Sequence, residues 1–117
     1  MELKELYKYQ IEFDRKHGWD WSNVEKKEEK LQCLLRLAIA MSGEVGEFCN
    51  KVKKIVRKLD GTRGKFSKED WEGLKEELVD IFIYVLKGAA ELFKMDLAEE
   101  YMKKMRKNVE RFEEFEK

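Results

Sequence analysis

The sequence predicts an all-α protein, a four-helix, bundle-like chain completed by a second copy of itself. Three observations carry this. The 117 residues contain no proline and only seven glycines, and 43% of them are Asp, Glu, Lys or Arg, a composition of long helices. Apolar residues recur at the 3.6-residue period in four stretches. The third stretch is apolar over an arc too wide for one neighbour to cover.

The first helix is expected from about Glu2 to Lys16, where Leu3, Leu6, Tyr7, Gln10, Ile11 and Asp14 trace a partly apolar stripe. His17-Gly18 should end it, because glycine adopts the left-handed geometry of a helix terminus. An aromatic loop, Trp19 to Asn23, follows. The second helix is expected from Val24 or Glu25 to Lys58, with Leu34, Leu37, Met41, Phe48, Val52 and Ile55 on its core face. Asp60-Gly61-Thr62-Arg63-Gly64 reads as a turn. Ser67 is a plausible N-cap for the third helix, with Glu69 and Asp70 at its positive end. That helix should continue to about Lys94. Asp96, with Glu99 three residues on, resembles a capping box for the fourth, which runs almost to the C-terminus.

In the third helix, Val79, Ile81, Phe82, Ile83, Val85, Leu86, Ala89 and Ala90 exceed the usual apolar stripe. Packing on two sides requires another subunit, most commonly through a two-fold axis. The length fits one domain, residues 1–117. Lys+Arg and Asp+Glu balance at 25 each, so no global field draws the chain to nucleic acid or membrane. Cys33 and Cys49, 16 residues apart on one helix, stand about 24 Å from each other, too far for a disulfide. Two free thiols and an N-terminus without a signal-peptide core point to a reducing cytoplasm. No run is apolar enough to span a bilayer.

Four acids stand out against this background. Leu37 to Asn50 holds only two charges, Glu44 and Glu47, where a window of that length at the chain's average would hold roughly six. Spaced i, i+3, they project from one side of the helix. Gly43 and Gly46 flank them at a cost of about 1 kcal/mol each, which suggests close approach to the backbone. Glu77 and Asp80 repeat the i, i+3 pair on the third helix. Packed together, the two helices would converge four carboxylates, a self-repelling cluster that a divalent cation relieves. All-oxygen ligation favours Mg²⁺ or Mn²⁺. The plainer expectation is that Glu77, Asp80, Tyr84, Lys87 and Glu91 form one stripe facing water.

Cations for a phosphate are also present. Lys104, Asn108 and Arg111 share a stripe of the fourth helix, and Lys51, Lys53, Lys54, Arg57 and Lys58 crowd the second, with Arg63 and Lys65 in the loop. Trp19, Trp21 and His17 could stack on a nucleobase or close the core over the helix ends.

Leu37-Ala-Ile-Ala-Met-Ser-Gly-Glu-Val-Gly-Glu-Phe48, then Glu76-Glu-Leu-Val-Asp-Ile-Phe-Ile-Tyr84, then Lys104-Met-Arg-Lys-Asn108 closely resemble the MazG-like all-α nucleotide pyrophosphohydrolases. That family carries ExxE, ExxD and a Lys-xxx-Asn element in this order, and the resemblance covers about residues 30 to 112. It implies Mg²⁺-dependent hydrolysis of a nucleoside triphosphate to the monophosphate and pyrophosphate, by a homodimer or a dimer of dimers. Glu44, Glu47, Glu77 and Asp80 are the implied metal ligands. Lys104, Asn108 and Arg111 are the implied phosphate contacts, and Tyr84 is implied near the base. The chain lacks the aromatic-His-x-Pro-x-Asn segment of the dCTP pyrophosphatase branch. Phosphoribosyl-ATP pyrophosphohydrolase is an alternative within the same fold. A non-catalytic helical dimerisation module is the alternative outside it. A carboxylate-bridged di-iron bundle would need Glu-x-x-His pairs, and the acidic helices carry no histidine.

Overall fold

Helix signals in the sequence translate into four long helices in a computed structural model that describes residues 1–61 and 65–117. In chain order these are α1 (Leu3–Lys16), α2 (Lys27–Asp60), α3 (Lys68–Lys87) and α4 (Leu97–Arg111). Between α3 and α4 the chain widens into a π-helical segment, Gly88–Phe93, and a 3₁₀ turn, Glu113–Phe115, follows α4. The described residues contain no strand.

The caps explain most boundaries. Gly18 takes φ +73°, and the Trp19 N–H donates to the Asp14 carbonyl at 2.7 Å, turning the chain out of α1. Ser67 and Asp70 form a reciprocal capping box: the Asp70 N–H donates to Ser67 Oγ at 3.0 Å, and the Ser67 N–H donates to Asp70 Oδ2 at 3.1 Å. Lys58 adds an ammonium at 3.1 Å from Asp70, and these partners hold the Asp70 carboxyl below its ordinary range, the Ser67 N–H foremost. Asp96 caps α4 by accepting the Glu99 N–H. The turn expected over 60–64 falls largely on Thr62, Arg63 and Gly64, which lie outside the described residues.

The α2 and α3 helices pack along each other, and α1 crosses α3 and the π segment. Leu37 and Ile55 of α2 are buried, as are Leu86, Ala89, Ala90 and Leu92; Leu34 and Met41 pack beside them with Trp21, Val24 and Tyr84. The core is therefore small and centred where the π segment meets α2. There Leu37 Cδ2 lies only 2.7 Å from where a Cβ on Gly88 would stand. A close backbone approach was expected at Gly43 and Gly46, but open space surrounds both. Among the described glycines, Gly88 is the one where an added Cβ would press on a neighbour.

The fourth helix does not complete a bundle within the chain. Among the described residues it makes no extensive contact with another long helix and buries none of its own residues. Its start is tied down where Tyr7 Oη donates to the Met95 carbonyl (2.9 Å) and accepts from the Leu97 N–H (3.0 Å). No helix among the described residues is long and apolar enough to cross a membrane. Both cysteines are free, Cys33 buried and Cys49 exposed.

Candidate metal centre and adjoining aromatic cleft

Packing of α2 on α3 brings the two acidic pairs together. Glu44, Glu77 and Asp80 present carboxylate oxygens that all lie within 4.8 Å of one another. Glu77 is buried, while Glu44 and Asp80 are half-buried. Glu47 is exposed and outside this closest trio, yet near enough that its charge acts on Glu44. Burial, then the carboxylates of Glu47, Asp80 and Glu77, hold the Glu44 carboxyl above its ordinary range. Two oxygens in the cluster, Glu44 Oε2 and Glu77 Oε2, are buried without a hydrogen-bond partner.

Lys51, expected only as one of the cations crowding α2, joins this cluster. It stands one turn beyond Glu47, and its Nζ reaches Glu77 Oε1 at 2.6 Å. That bond holds Glu77 below its ordinary range and Lys51 above its own. The spacing was the available signal, since Glu44, Glu47 and Lys51 fall on one stripe at i, i+3, i+7. Mutual repulsion of the acids is thus partly relieved by the chain itself. The oxygen-only donor set with two unpartnered buried oxygens still fits a hard divalent cation.

The stripe expected to face water does not. Glu77, Lys87 and Glu91 are all buried, and Asp80 and Tyr84 are half-buried. Lys87 Nζ donates to Asp14 Oδ2 (2.9 Å), the Trp19 carbonyl (2.7 Å) and Glu91 Oε1 (2.8 Å). It also sits 4.0 Å above the Trp21 ring. The Trp21 N–H donates to Glu91 Oε1 at 2.9 Å. Burial and the adjacent Asp14 carboxyl push Glu91 up to about 7, against the pull of Lys87 and the Trp21 N–H. Burial also acts upward on Asp14, but hydrogen bonds from Glu91, Lys87 and Gln10 outweigh it and hold that carboxyl below its ordinary range. A buried ammonium shared by two carboxylates is stable only when its donors are fully used, and Lys87 uses all three.

This cluster anchors the loop after α1 to α3 and shapes a cleft of about 510 Å³ next to it. Phe13, Trp19, Trp21, Tyr84, Gln10 and Arg36 are among its walls. Trp21 serves both readings made of it, packing on the core while lining the cleft. Trp19 is the exposed wall, with its ring stacked on His17 at 4.9 Å between centroids. Tyr84 lies one turn after Asp80 and so joins the cleft to the acids.

Lys104, Asn108 and Arg111 do not join the site within this chain. Among the described residues no hydrogen bond or ion pair links them to the four acids. Asn108 donates to Met105 Sδ (3.7 Å) and Arg111 stands 5.0 Å from the Phe112 ring. Arg63 lies outside the described residues.

No protein-family model and no solved structure matches the chain. The "Gene 37 protein" of Mycobacterium phage L5 is 36% identical over 64 residues, which are 55% of this chain and 54% of that protein. The chain thus spans about half the length of this curated relative.

Proposed function

We propose that the chain is a cytoplasmic, Mg²⁺-dependent nucleoside triphosphate pyrophosphohydrolase of MazG-like type that works as a homodimer. The observation that carries this is the convergence of Glu44, Glu77 and Asp80 to within 4.8 Å, two of the buried oxygens having no partner. Glu44, Glu47, Glu77 and Asp80 would hold the cation, with Mn²⁺ as a substitute. When bound, the ion supplies Lewis-acid stabilisation of phosphoryl oxygens and lowers the pKa of nearby water.

The remaining work falls to the chain's own groups. Glu47, the most exposed of the four acids, is available to orient a water and take its proton at a carboxylate oxygen. Lys51 neutralises Glu77 in the free site, and a cation there would release its ammonium for a phosphate oxygen. Trp19, Trp21 and Tyr84 offer faces on which a base stacks. Cleavage at the α-phosphorus by water requires no nucleophilic side chain.

Dimer formation is supported by surface. The chain exposes 9772 Å², whereas a compact monomer of 14.1 kDa exposes about 6,700 Å². Lys104, Asn108 and Arg111, remote from the acids of their own chain, would contact phosphate from the helix of a second copy. The same exposed apolar faces favour a second reading, a helical association module without catalysis.

One experiment separates them: incubation with a panel of NTPs, dNTPs and phosphoribosyl-ATP plus Mg²⁺, with the products resolved. Monophosphate and pyrophosphate are expected. Diphosphate and orthophosphate would refute the cleavage position. No turnover and no calorimetric Mg²⁺ binding would leave the association module.

A further inference from the structure

The loop between α1 and α2 is fastened to the α3–π stretch through buried ionisable groups. Among the described residues, the hydrogen bonds that do this are the Lys87 ammonium on the Trp19 carbonyl and the Trp21 N–H on Glu91 Oε1. The Lys87, Asp14 and Glu91 side chains are only 8%, 4% and 0% exposed, so water has little share in their bonding. Glu91 spends one oxygen on Lys87 and Trp21, while its Oε2 is buried without a donor. An enclosed carboxylate oxygen of this kind is costly. A carboxyl proton removes the cost, and Asp14 is within hydrogen-bonding reach to accept it. With that proton in place, Lys87 and Asp14 cancel and the cluster is neutral. Without it, two carboxylates face one ammonium and a net negative charge is enclosed. Burial, then Asp14, set the change at about pH 7. The neighbouring groups do not offset it. Asp20, in the loop itself, is a further acid, engaged by Ser22 and Arg15. From α2, Cys33 packs in the adjoining core and Arg36 lines the cleft, with no ion pair to the cluster among the described residues.

We propose that Asp14, Lys87 and Glu91 form a proton-set latch on the aromatic loop: the Glu91 proton keeps residues 19–21 fastened to the π segment, and its loss lets water reach Glu91 and releases them. The loop is the part that gives, because α1, α3 and the π segment hold themselves together by helical backbone bonds and the loop does not. Trp19 and Trp21 are walls of the cleft, so release reshapes it. The latch requires neither metal nor nucleotide and stands apart from the catalytic reading.

Amide hydrogen exchange of the whole protein, followed by NMR at the Trp21 N–H, tests this. The protection factor there, corrected for the intrinsic pH dependence of exchange, measures how firmly the latch is closed. The closed loop keeps a proton that the open loop releases. Protection should therefore be full below about pH 4.5, fall about tenfold per pH unit up to about 7, and level off above that. Low concentrations of urea should leave Trp21 exchange unchanged while speeding exchange at the buried Leu86, the mark of a local opening. Glu91→Gln, with a permanent donor where the proton sat, should hold the low-pH protection at every pH. Asp14→Asn keeps Glu91 but removes the second carboxylate, so the fall should move to more acid pH; this arm decides the matter if Glu91→Gln does not fold. Trp21 protection independent of pH in the parent protein, a fall left in place by either folded variant, or Trp21 exchange that follows urea as Leu86 does would overturn the inference.

Discussion

At the scale of the residue, the chain keeps two distinct charge clusters, and their difference predicts different responses. Lys87 is enclosed, so Lys87→Met would strand two carboxylates and should cost about 3–5 kcal/mol in urea unfolding. Glu91 is raised from 4.5 to about 7, so the folded state keeps its proton where the unfolded chain releases it. Its contribution to stability is full below about pH 4.5 and is lost as pH rises through about 7. Asp14, held low, acts in the opposite sense and only at more acid pH. Urea midpoints should therefore fall between about pH 5 and about pH 8, and Glu91→Gln, a neutral mimic of the protonated acid, should flatten that slope. An unaltered slope in the variant would contradict the assignment. Lys51 is different because its side chain is 44% exposed. Lys51→Met removes a competitor for Glu77, and calorimetry should show Mg²⁺ binding tightened by about fivefold, the weight of one exposed ion pair. Of the site, the two acidic pairs were legible in sequence because they interrupt charge-poor helices. The Asp14–Lys87–Glu91 cluster was not, since a pattern on one helix cannot show that Asp14 of another meets it, and the stripe read as solvated.

At the scale of the element, caps and periodicity did most of the specification. Ser67→Ala should lower stability by about 1 kcal/mol, because it leaves the Asp70 N–H without its acceptor at the start of α3; an unchanged thermal midpoint would show the box to be idle. The N-cap, the four helices and their order were all readable, since each depends on residues adjacent in sequence. The π segment was not. It depends on Gly88 meeting Leu37, 51 positions away, and on Glu91 turning inward to the Trp21 N–H, and widened turns of this kind concentrate where side chains must be re-aimed. Gly88→Ala should cost about 1–3 kcal/mol by overpacking against Leu37. The fourth helix was legible as a helix, but what covers its apolar face was not, because amphipathicity states that a face is to be covered and not by what.

At the scale of the whole molecule, the dimensions set the final prediction. The radius of gyration is 18.2 Å, against about 13 Å for a compact chain of this length. The uncovered surface is not scattered. Leu31, Leu35 and Ile39 form a stripe on α2, Leu78, Val79 and Phe82 lie on α3, and Tyr101, Met105, Val109 and Phe112 run down α4, all exposed. Apolar rows at helical spacing on three helices are costly to solvate and too regular to be incidental. The excess over a compact monomer, about 3,000 Å² per chain or about 6,000 Å² for a pair, is ample for the large interfaces of obligate dimers. Light scattering should give a particle of at least twice 14.1 kDa, with unfolding midpoints that rise with protein concentration. Ile39→Glu and Val79→Glu place charges in the proposed contact while sparing the acids and the cleft. Both should yield monomers that unfold at lower urea. If catalysis draws Lys104, Asn108 and Arg111 from a second copy, those monomers should also lose triphosphate turnover while retaining nucleoside binding in the cleft. A monomer with full turnover would show instead that each chain holds all it needs, and that the exposed rows serve another purpose.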